Sequence, residues 1–344
     1  MFIALLASLA FSASDTELPP PLRADLSIGH QLEATYLRFE QAGMREIGSR
    51  RDVQHITRFD AEFSLVRGIA ATFGIEGAAH RAVTHLDSRQ MTGNTSIGLG
   101  SYVDSPALAE PPRFQGSGVR GVWLGAAFQP FSEEFDKNHP VTWRLDFAYR
   151  TRPSRSFFEV DEEQRRGAGE AGETFRIAGA FSRERYAASP YVRVEYQFTT
   201  PRSFSVPSAN DPSQATQFRV EPGHRVDLIT GTELKLSDPN AERGSAEFDV
   251  HTGFGYQTKQ VGPSGIYLPS VASGSEYSEV ERPERLGIHL GGAFEVEVVD
   301  EVELRTWVRA FWALPWRIEQ PYTVYSSLDT ISVVTGADVT VRIR

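Results

Sequence analysis

The sequence predicts an all-β fold, a single antiparallel transmembrane β-barrel of about 12 strands, with about 14 as the alternative. Apolar and polar residues alternate along many segments, most regularly from Val141 to Arg150. Successive side chains of a strand point to opposite faces, so each such segment has one apolar and one polar face. Short and long connections also alternate, which is typical of barrels with short periplasmic turns and long extracellular loops.

Composition narrows the possible classes. The chain has 344 residues, a formal net charge of −10 and no cysteine. This length suits one large barrel or two sandwich domains. The acidic balance argues against nucleic-acid binding, which needs a basic surface. Without cysteine, the fold has neither a disulfide nor a cysteine-linked lipid anchor.

The N-terminal region predicts export. Residues 2–11 form an apolar run that is too short to span a bilayer, and small residues follow at positions 12–14. We interpret residues 1–14 as a signal peptide, 15–25 as a proline-containing periplasmic tether and 26–344 as the barrel. No later segment has the length and apolarity of a transmembrane helix, so any membrane span must be a strand.

The strands are predicted from their apolar stripes, and no helical period competes over a comparable length. In chain order the stripes are Leu26–Tyr36, Phe59–Leu65, Ile69–Ile75, Val122–Phe128, Val141–Tyr149, Phe175–Phe181, Val192–Phe198, Val226–Leu236, Phe248–Tyr256, Leu286–Val296, Val302–Trp312 and Ile331–Ile343.

The connections decide between a membrane barrel and a soluble sandwich, because a sandwich has no physical reason to alternate its loop lengths. Short connections are predicted near 66–68, 129–139, 184–188, 237–243 and 299–301. Long ones are predicted near 40–51, 81–117, 151–173, 200–222, 259–283 and 314–328. A weak alternation at 92–103 is assigned to the second long loop, since a barrel with both ends in the periplasm needs an even number of strands.

Aromatic residues predict two interfacial belts. Those on the long-loop side are Tyr149, Tyr256, Trp312 and Trp316, and those beside one short turn are Phe128, Phe131 and Trp143.

On these features the chain resembles Gram-negative outer-membrane β-barrels of the porin-like or small-transporter kind, over residues 25–344. The resemblance rests on the signal, the alternation and the loop lengths, and on no specific motif. It implies insertion into outer-membrane lipid and passage of small solutes. The chain ends Val341-Arg342-Ile343-Arg344, whereas this family usually ends on an aromatic residue.

If the apolar faces meet lipid, the polar faces line a lumen. The candidate lumen-lining residues are Arg58, Asp60, Glu62, Arg144, Asp146, Arg193, Glu195, Glu233, Glu295, Glu297, Arg305, Trp307 and Arg309. Such charges must be hydrated or paired. They either form a wet pore whose field selects polar solutes, or pair across a filled, closed barrel. The strand count lies between filled and open barrels, which favours a narrow or gated channel for small polar solutes.

The row Glu303, Arg305, Trp307 and Arg309 is the most suggestive local pattern. Guanidinium groups can bind a carboxylate or phosphate, and a Trp can stack on a ring. The simpler explanation, which we favour, is that Trp307 fills lumen volume.

Catalysis is not expected. The sequence His85-Leu86-Asp87-Ser88 has suitable residue types but lies in a predicted loop, and we expect His251 and His289 to be hydrogen-bonded lumen residues. No cofactor or metal site is predicted, because the sequence has no glycine-rich phosphate loop after a strand and no His/Cys cluster with metal-ligand spacing. The carboxylates at 161–163 could hold Ca²⁺ only weakly, and a solvated charged loop is the simpler explanation. The alternatives left open are a non-conducting structural or partner-binding barrel, a secreted soluble sandwich and an outer-membrane hydrolase. No protein partner can be named.

Overall fold

The structure, a computed structural model, describes residues 18–41, 46–86, 113–132, 141–160, 165–185, 187–207, 215–236, 245–267, 278–299, 301–320 and 323–343. The predicted signal peptide lies outside them. The elements are β1 (Ala24–Gln41), β2 (Glu46–Val66), β3 (Ile69–Leu86), β4 (Arg113–Phe131), β5 (Thr142–Arg150), β6 (Thr174–Ser182), β7 (Ala188–Thr199), β8 (Arg202–Pro207), β9 (Ala215–Val220), β10 (His224–Lys235), β11 (Ala246–Gln257), β12 (Gln260–Pro263), α1 (Ser264–Tyr267), β13 (Glu279–Arg282), β14 (Arg285–Val299), β15 (Val302–Ala313), β16 (Arg317–Gln320) and β17 (Thr323–Ile343). In this part of the chain, no helix is long and apolar enough to cross a membrane.

The strands close into a barrel. Within the described residues the wall runs β1-β2-β3-β4-β5-β6-β7-β10-β11-β14-β15-β17, and β17 pairs with β1 to close it. This closed wall of 12 strands is the architecture that the alternation predicted. The hairpins β8–β9 and β12–β13 form separate sheets, and β16 extends the wall at β17.

The first strands are longer than their apolar stripes. Pairing of β1 with β2 continues to Glu40↔Glu46, and pairing of β3 with β4 continues to Thr84↔Arg113. The predicted loop at 40–51 was therefore wrong, since only residues 42–45 separate the two strands, and the predicted loop at 81–117 is reduced to 87–112. In the extension of β1, the apolar residues Leu37 and Phe39 face inward and are buried, so the outward apolar stripe does not continue there. The segment 92–103 lies outside the described residues.

The barrel exposes its apolar residues and buries its polar ones. On β1, the Ile28 side chain is 56% exposed, whereas the Glu33 side chain on the opposite face is fully buried. The same reversal recurs along the other wall strands, where Phe147, Val250 and Trp312 are exposed. Exposed apolar area of this extent is suited to contact with lipid.

Aromatic side chains border the exposed apolar surface. At the short-turn end, Trp143 stacks between Phe131 and Phe181, with ring centroids 6.0 and 5.5 Å apart. At the long-loop end, Tyr149 contacts Phe175. The assignment of Trp316 to this belt was wrong. Its side chain is buried, edge-on to Phe39 at 5.8 Å, because the chain turns inward after β15.

The described part of the predicted tether packs against the barrel. The backbone N–H of Leu18 donates to Oε1 of Gln129 at 3.2 Å, and the Leu18 side chain packs with Ala70 and Ala127. These three wall residues point inward, so residue 18 enters the short-turn end of the lumen.

Candidate functional site in the barrel lumen

Every predicted lumen residue lies on the inward face of the wall. Two neighbouring predicted residues, Arg193 and Glu195, are buried, as are Arg309 and Trp307 on β15. The side chains of Arg58 and Asp60 are about one-third exposed, and Glu297 is similar. The inward charges therefore differ in burial from one part of the wall to another.

Many inward charges pair with the next inward residue of the same strand. In β5, Nε of Arg144 lies 2.8 Å from Oδ1 of Asp146. In β7, Nη2 of Arg193 lies 2.9 Å from Oε2 of Glu195, and Arg58 pairs with Asp60 in β2. Residues two apart on a strand share a face, so the pattern Arg-x-Asp/Glu pairs locally. These pairs offset part of the desolvation cost of burying the charges.

Other pairs bridge strands that are not neighbours. Arg144 on β5 donates through Nη2 to Glu62 on β2 at 2.6 Å, passing over β3 and β4. His289 on β14 contacts Asp227 on β10 at 2.8 Å, passing over β11. Such contacts tie distant strands of the wall together.

Glycines make room for side chains that lie flat on the inner wall. A Cβ at Gly255 would stand 2.6 Å from Nε2 of His289, and one at Gly231 would stand 2.6 Å from the Tyr191 ring. Above Gly231, the Tyr191 hydroxyl donates to Asp249 at 2.7 Å. Real Cβ atoms essentially never approach this closely, so these positions require glycine.

The row on β15 supports the simpler of its two explanations. The indole Nε1–H of Trp307 donates to Oδ2 of Asp338 at 2.8 Å, and the ring lies over Gly336. Arg305 is 3.9 Å from Glu295, and Glu303 pairs with Arg342 at 2.5 Å. Trp307 thus fills lumen volume and is held by a wall carboxylate.

The loop between β5 and β6 folds into the lumen. Residues 166–172, here called the plug segment, are all buried. Ala168 packs against Ile56 and Ala78 on the inner wall, and its carbonyl accepts from Nη1 of Arg81 at 3.3 Å. The glycines of the segment permit close backbone contact. For example, the backbone of Gly167 packs against Gly116 on β4.

A buried charge cluster holds the plug segment. Nη2 of Arg120 on β4 donates to Oε1 of Glu170 at 3.1 Å, and Nη1 of the same guanidinium donates to Glu76 on β3 at 2.5 Å. Arg81 lies 4.0 Å from Glu170, and Arg150 lies 3.6 Å from Glu76. The cluster joins three arginines to one wall carboxylate and one plug carboxylate.

Above the plug segment, the long-loop hairpins form a cap whose core also includes Val83 of the wall and Ala171 of the plug segment. Phe157 and Phe158 of the β5–β6 loop pack with Phe204, Phe218 and Tyr267 from the hairpins. The cap covers the lumen from the long-loop side.

The inner margin of the cap is cationic and aromatic. The Arg282 guanidinium stacks on Tyr267 at 4.8 Å and on Trp316 at 5.0 Å. Burial, together with the nearby Arg50, lowers the pKa of Arg282 to about 9. Burial also raises the pKa of Tyr267 to about 12. The cap therefore holds a guanidinium in surroundings that disfavour its charge.

Two inward histidines are hydrogen-bonded to carboxylates of the wall. His251 is hydrogen-bonded to Asp249 and His289 to Asp227, each at 2.8 Å, as expected for lumen histidines. In the motif at 85–88, residues 87 and 88 lie outside the described residues, and so do the carboxylates at 161–163. Within the described ranges, no group of three or more His, Cys, Asp or Glu side chains could hold a metal ion.

Sequence reasoning missed the residues that hold the plug segment. The sequence predicts only a polar loop around Glu170, and Arg81 and Arg120 lie outside or beside the apolar stripes. One usable signal was the glycine-rich run at 167–172, which is unusual in a loop otherwise rich in charge. The small residues of this run indicate close packing of the chain, and Glu170 is the one charged residue among them.

Comparison with known proteins supports the fold. No family model matches the chain, and no relative is found among curated proteins. An outer membrane channel from Pseudomonas putida F1 has a TM-score of 0.50 at 10% identity, covering 92% of this chain and 96% of that one. A Pseudomonas aeruginosa FadL homologue has a TM-score of 0.46 at 9% identity, covering 93% and 90%. The protease OmpT from Escherichia coli has a TM-score of 0.35 at 9% identity, covering 98% and 99%. The chain folds as an outer-membrane β-barrel, and identities this low show the fold alone.

Proposed function

We propose that this protein is an outer-membrane channel for small polar solutes, closed in the present state by the plug segment. The observation that carries the proposal is the contact of Glu170 with Arg120 inside the wall. A barrel built only for structural support has no need of a loop segment held in its lumen by ion pairs.

The plug segment is held by contacts that can be exchanged. Its attachments to the wall include ion pairs, a hydrogen bond from Arg81 to the Ala168 carbonyl, a backbone hydrogen bond from Ser117 to the Arg166 carbonyl, and a small apolar contact with Ile56 and Ala78. A polar solute can replace a carboxylate or carbonyl as the partner of these arginines. Release of the segment would expose a path lined by arginine and carboxylate side chains, which is suited to polar solutes.

Planar-bilayer recording of the purified protein tests the proposal. We expect infrequent conductance steps from the wild-type protein, because the plug segment closes the lumen most of the time. Glu170→Gln removes the carboxylate charge next to Arg120 and should make the steps more frequent without changing their size. The matched control is Glu159→Gln, in the same loop but outside the plug segment, where Glu159 pairs with Arg202. Folded wild-type and Glu170→Gln proteins that both stay silent would overturn the channel.

A second candidate function is a non-conducting barrel whose long loops bind a partner. The observation in its favour is the cap, because an aromatic core joins the two hairpins over the long-loop end of the barrel. This function predicts silent bilayers and an interaction that disappears when residues 259–283 are shortened. If the shortened variant shows conductance steps at a different frequency from the wild-type protein and loses no interaction, the channel is favoured.

A further inference from the structure

The lipid-facing surface of the barrel carries one polar patch. Between the aromatic belts, the outward positions of the described strands are apolar or carry Gly, Ala or Thr, with an exception on β1, β2 and β3. There the outward ionisable residues are His30, His55 and His80. Ionisable side chains in a bilayer usually avoid lipid, so a group of them on this face indicates a function.

The three side chains form a continuous row. The rings of His30 and His55 are 5.9 Å apart, and those of His55 and His80 are 6.4 Å apart. Nδ1 of His30 lies 3.2 Å from the Thr57 hydroxyl oxygen. His30 lies between Ile28 and Leu32 on the outward stripe of β1, which places this end of the row near the middle of the apolar band.

A β-bulge completes the row. On β3 the even-numbered residues up to Ala78 face inward, but Arg81 also faces inward. The register shifts between Ala78 and Arg81 against β4, and between His55 and Ile56 against β2. The extra residue brings His80 to the outer face, where the regular alternation would have turned it into the lumen.

Threonines on the same face satisfy their polar groups within the barrel, and the histidines have less opportunity to do so. The Thr252 hydroxyl donates to the His289 carbonyl and the Thr335 hydroxyl to the Trp307 carbonyl, both at 3.0 Å. A neutral imidazole has one donor and one acceptor nitrogen, on opposite sides of a ring that points away from the wall. In hydrocarbon, an unsatisfied polar group is costly, so the row is favoured only when another protein surface covers it.

We propose that the row of His30, His55 and His80 is the contact surface of a homodimer within the membrane. A second copy fits because imidazole is complementary to itself. A two-fold axis brings the same row from both copies together, so that donors meet acceptors and no charged partner is required. The small outward residues Gly77 and Ala79 beside His80 allow the two walls to approach closely. The proposal does not depend on whether the lumen conducts.

Disulfide trapping tests this surface. The chain has no cysteine, so a single introduced cysteine reports only its own surroundings. Thr57→Cys keeps all three histidines and places a thiol next to His30. The matched control is Leu228→Cys, which is lipid-facing on β10 across the barrel. In native membranes under mild oxidant, we expect a dimer of Thr57→Cys and monomer for the control.

Removal of the row provides an independent readout. In the triple variant His30→Leu, His55→Leu and His80→Leu, combined with Thr57→Cys, the disulfide dimer should be lost. The heat-dependent gel shift of a folded barrel should remain. Equal trapping of Thr57→Cys and Leu228→Cys, trapping that survives the triple variant, or a disulfide to a chain of another mass would each overturn the proposal.

Discussion

The two sides of the barrel hold their buried charges in different ways. On one side, Arg120 on β4 binds both Glu76 on β3 and Glu170 of the plug segment. On the other, β7, β10, β11 and β14 pair their charges within the wall, as His289 does with Asp227. We call these the plug arc and the fixed arc. Charges held by a loop segment lose partners when that segment leaves, whereas charges held by the wall do not.

The difference indicates where the lumen would open. In the fixed arc, rings lie flat over glycines and are anchored to wall carboxylates, so these contacts involve no loop segment. In the plug arc, the wall contacts a segment that belongs to a loop. A passage is therefore expected along β3 and β4.

The largest expected effect comes from removing the arginine shared by wall and plug. Arg120→Gln leaves Glu76 and Glu170 buried with less compensating charge, so unfolding in urea should be easier by about 3–5 kcal/mol. Conductance steps should also become more frequent, because the plug segment loses its attachment. The control is Arg342→Gln, whose pairs with Glu297 and Glu303 are partly exposed, and for which about 1 kcal/mol or less is expected.

The Arg120→Gln variant could instead be less stable and still conduct like the wild-type protein. That result would show that Arg120 supports the wall alone and that the plug segment is held by its other contacts.

The fixed arc should respond to overpacking. Gly255→Val places a branched side chain where a Cβ alone would meet His289 at 2.6 Å and Asp227 at 2.7 Å. We expect unfolding to become easier by about 1–3 kcal/mol, with the frequency of conductance steps unchanged. Gly179→Ala is the control, because its new Cβ would meet Leu145 at an ordinary 3.5 Å. Altered channel gating in Gly255→Val would break the distinction between the two arcs.

The sequence was informative wherever a period of two residues operates. Alternation and loop parity predicted the closed wall of 12 strands, and the same alternation separates lipid-facing Leu145 from inward Arg144 and Asp146. Pairs two residues apart, such as Arg193 with Glu195, can also be read from the sequence once a strand is assigned.

Other features depend on how the barrel closes. Predicting the contact of Arg144 with Glu62 requires knowing which strands approach each other inside the lumen. No local sequence pattern gives that information. The plug segment has no period, so its glycine-rich run indicates close packing but does not say that Glu170 meets Arg120. Trp316 was wrongly placed at the lipid boundary because an aromatic residue after an apolar stripe is equally suited to a belt or to a turn into the cap.

Locking the plug segment to the wall tests the central claim most directly. Ala168 and Ala78 belong to one buried apolar cluster, and the chain has no cysteine of its own, so the double variant Ala168→Cys with Ala78→Cys is designed to form one internal disulfide. We predict that the oxidised protein conducts no current in planar bilayers and that reductant restores the wild-type steps. The conductance of each single variant should not change with oxidant or reductant. Undiminished conductance with the disulfide fully formed would contradict the account.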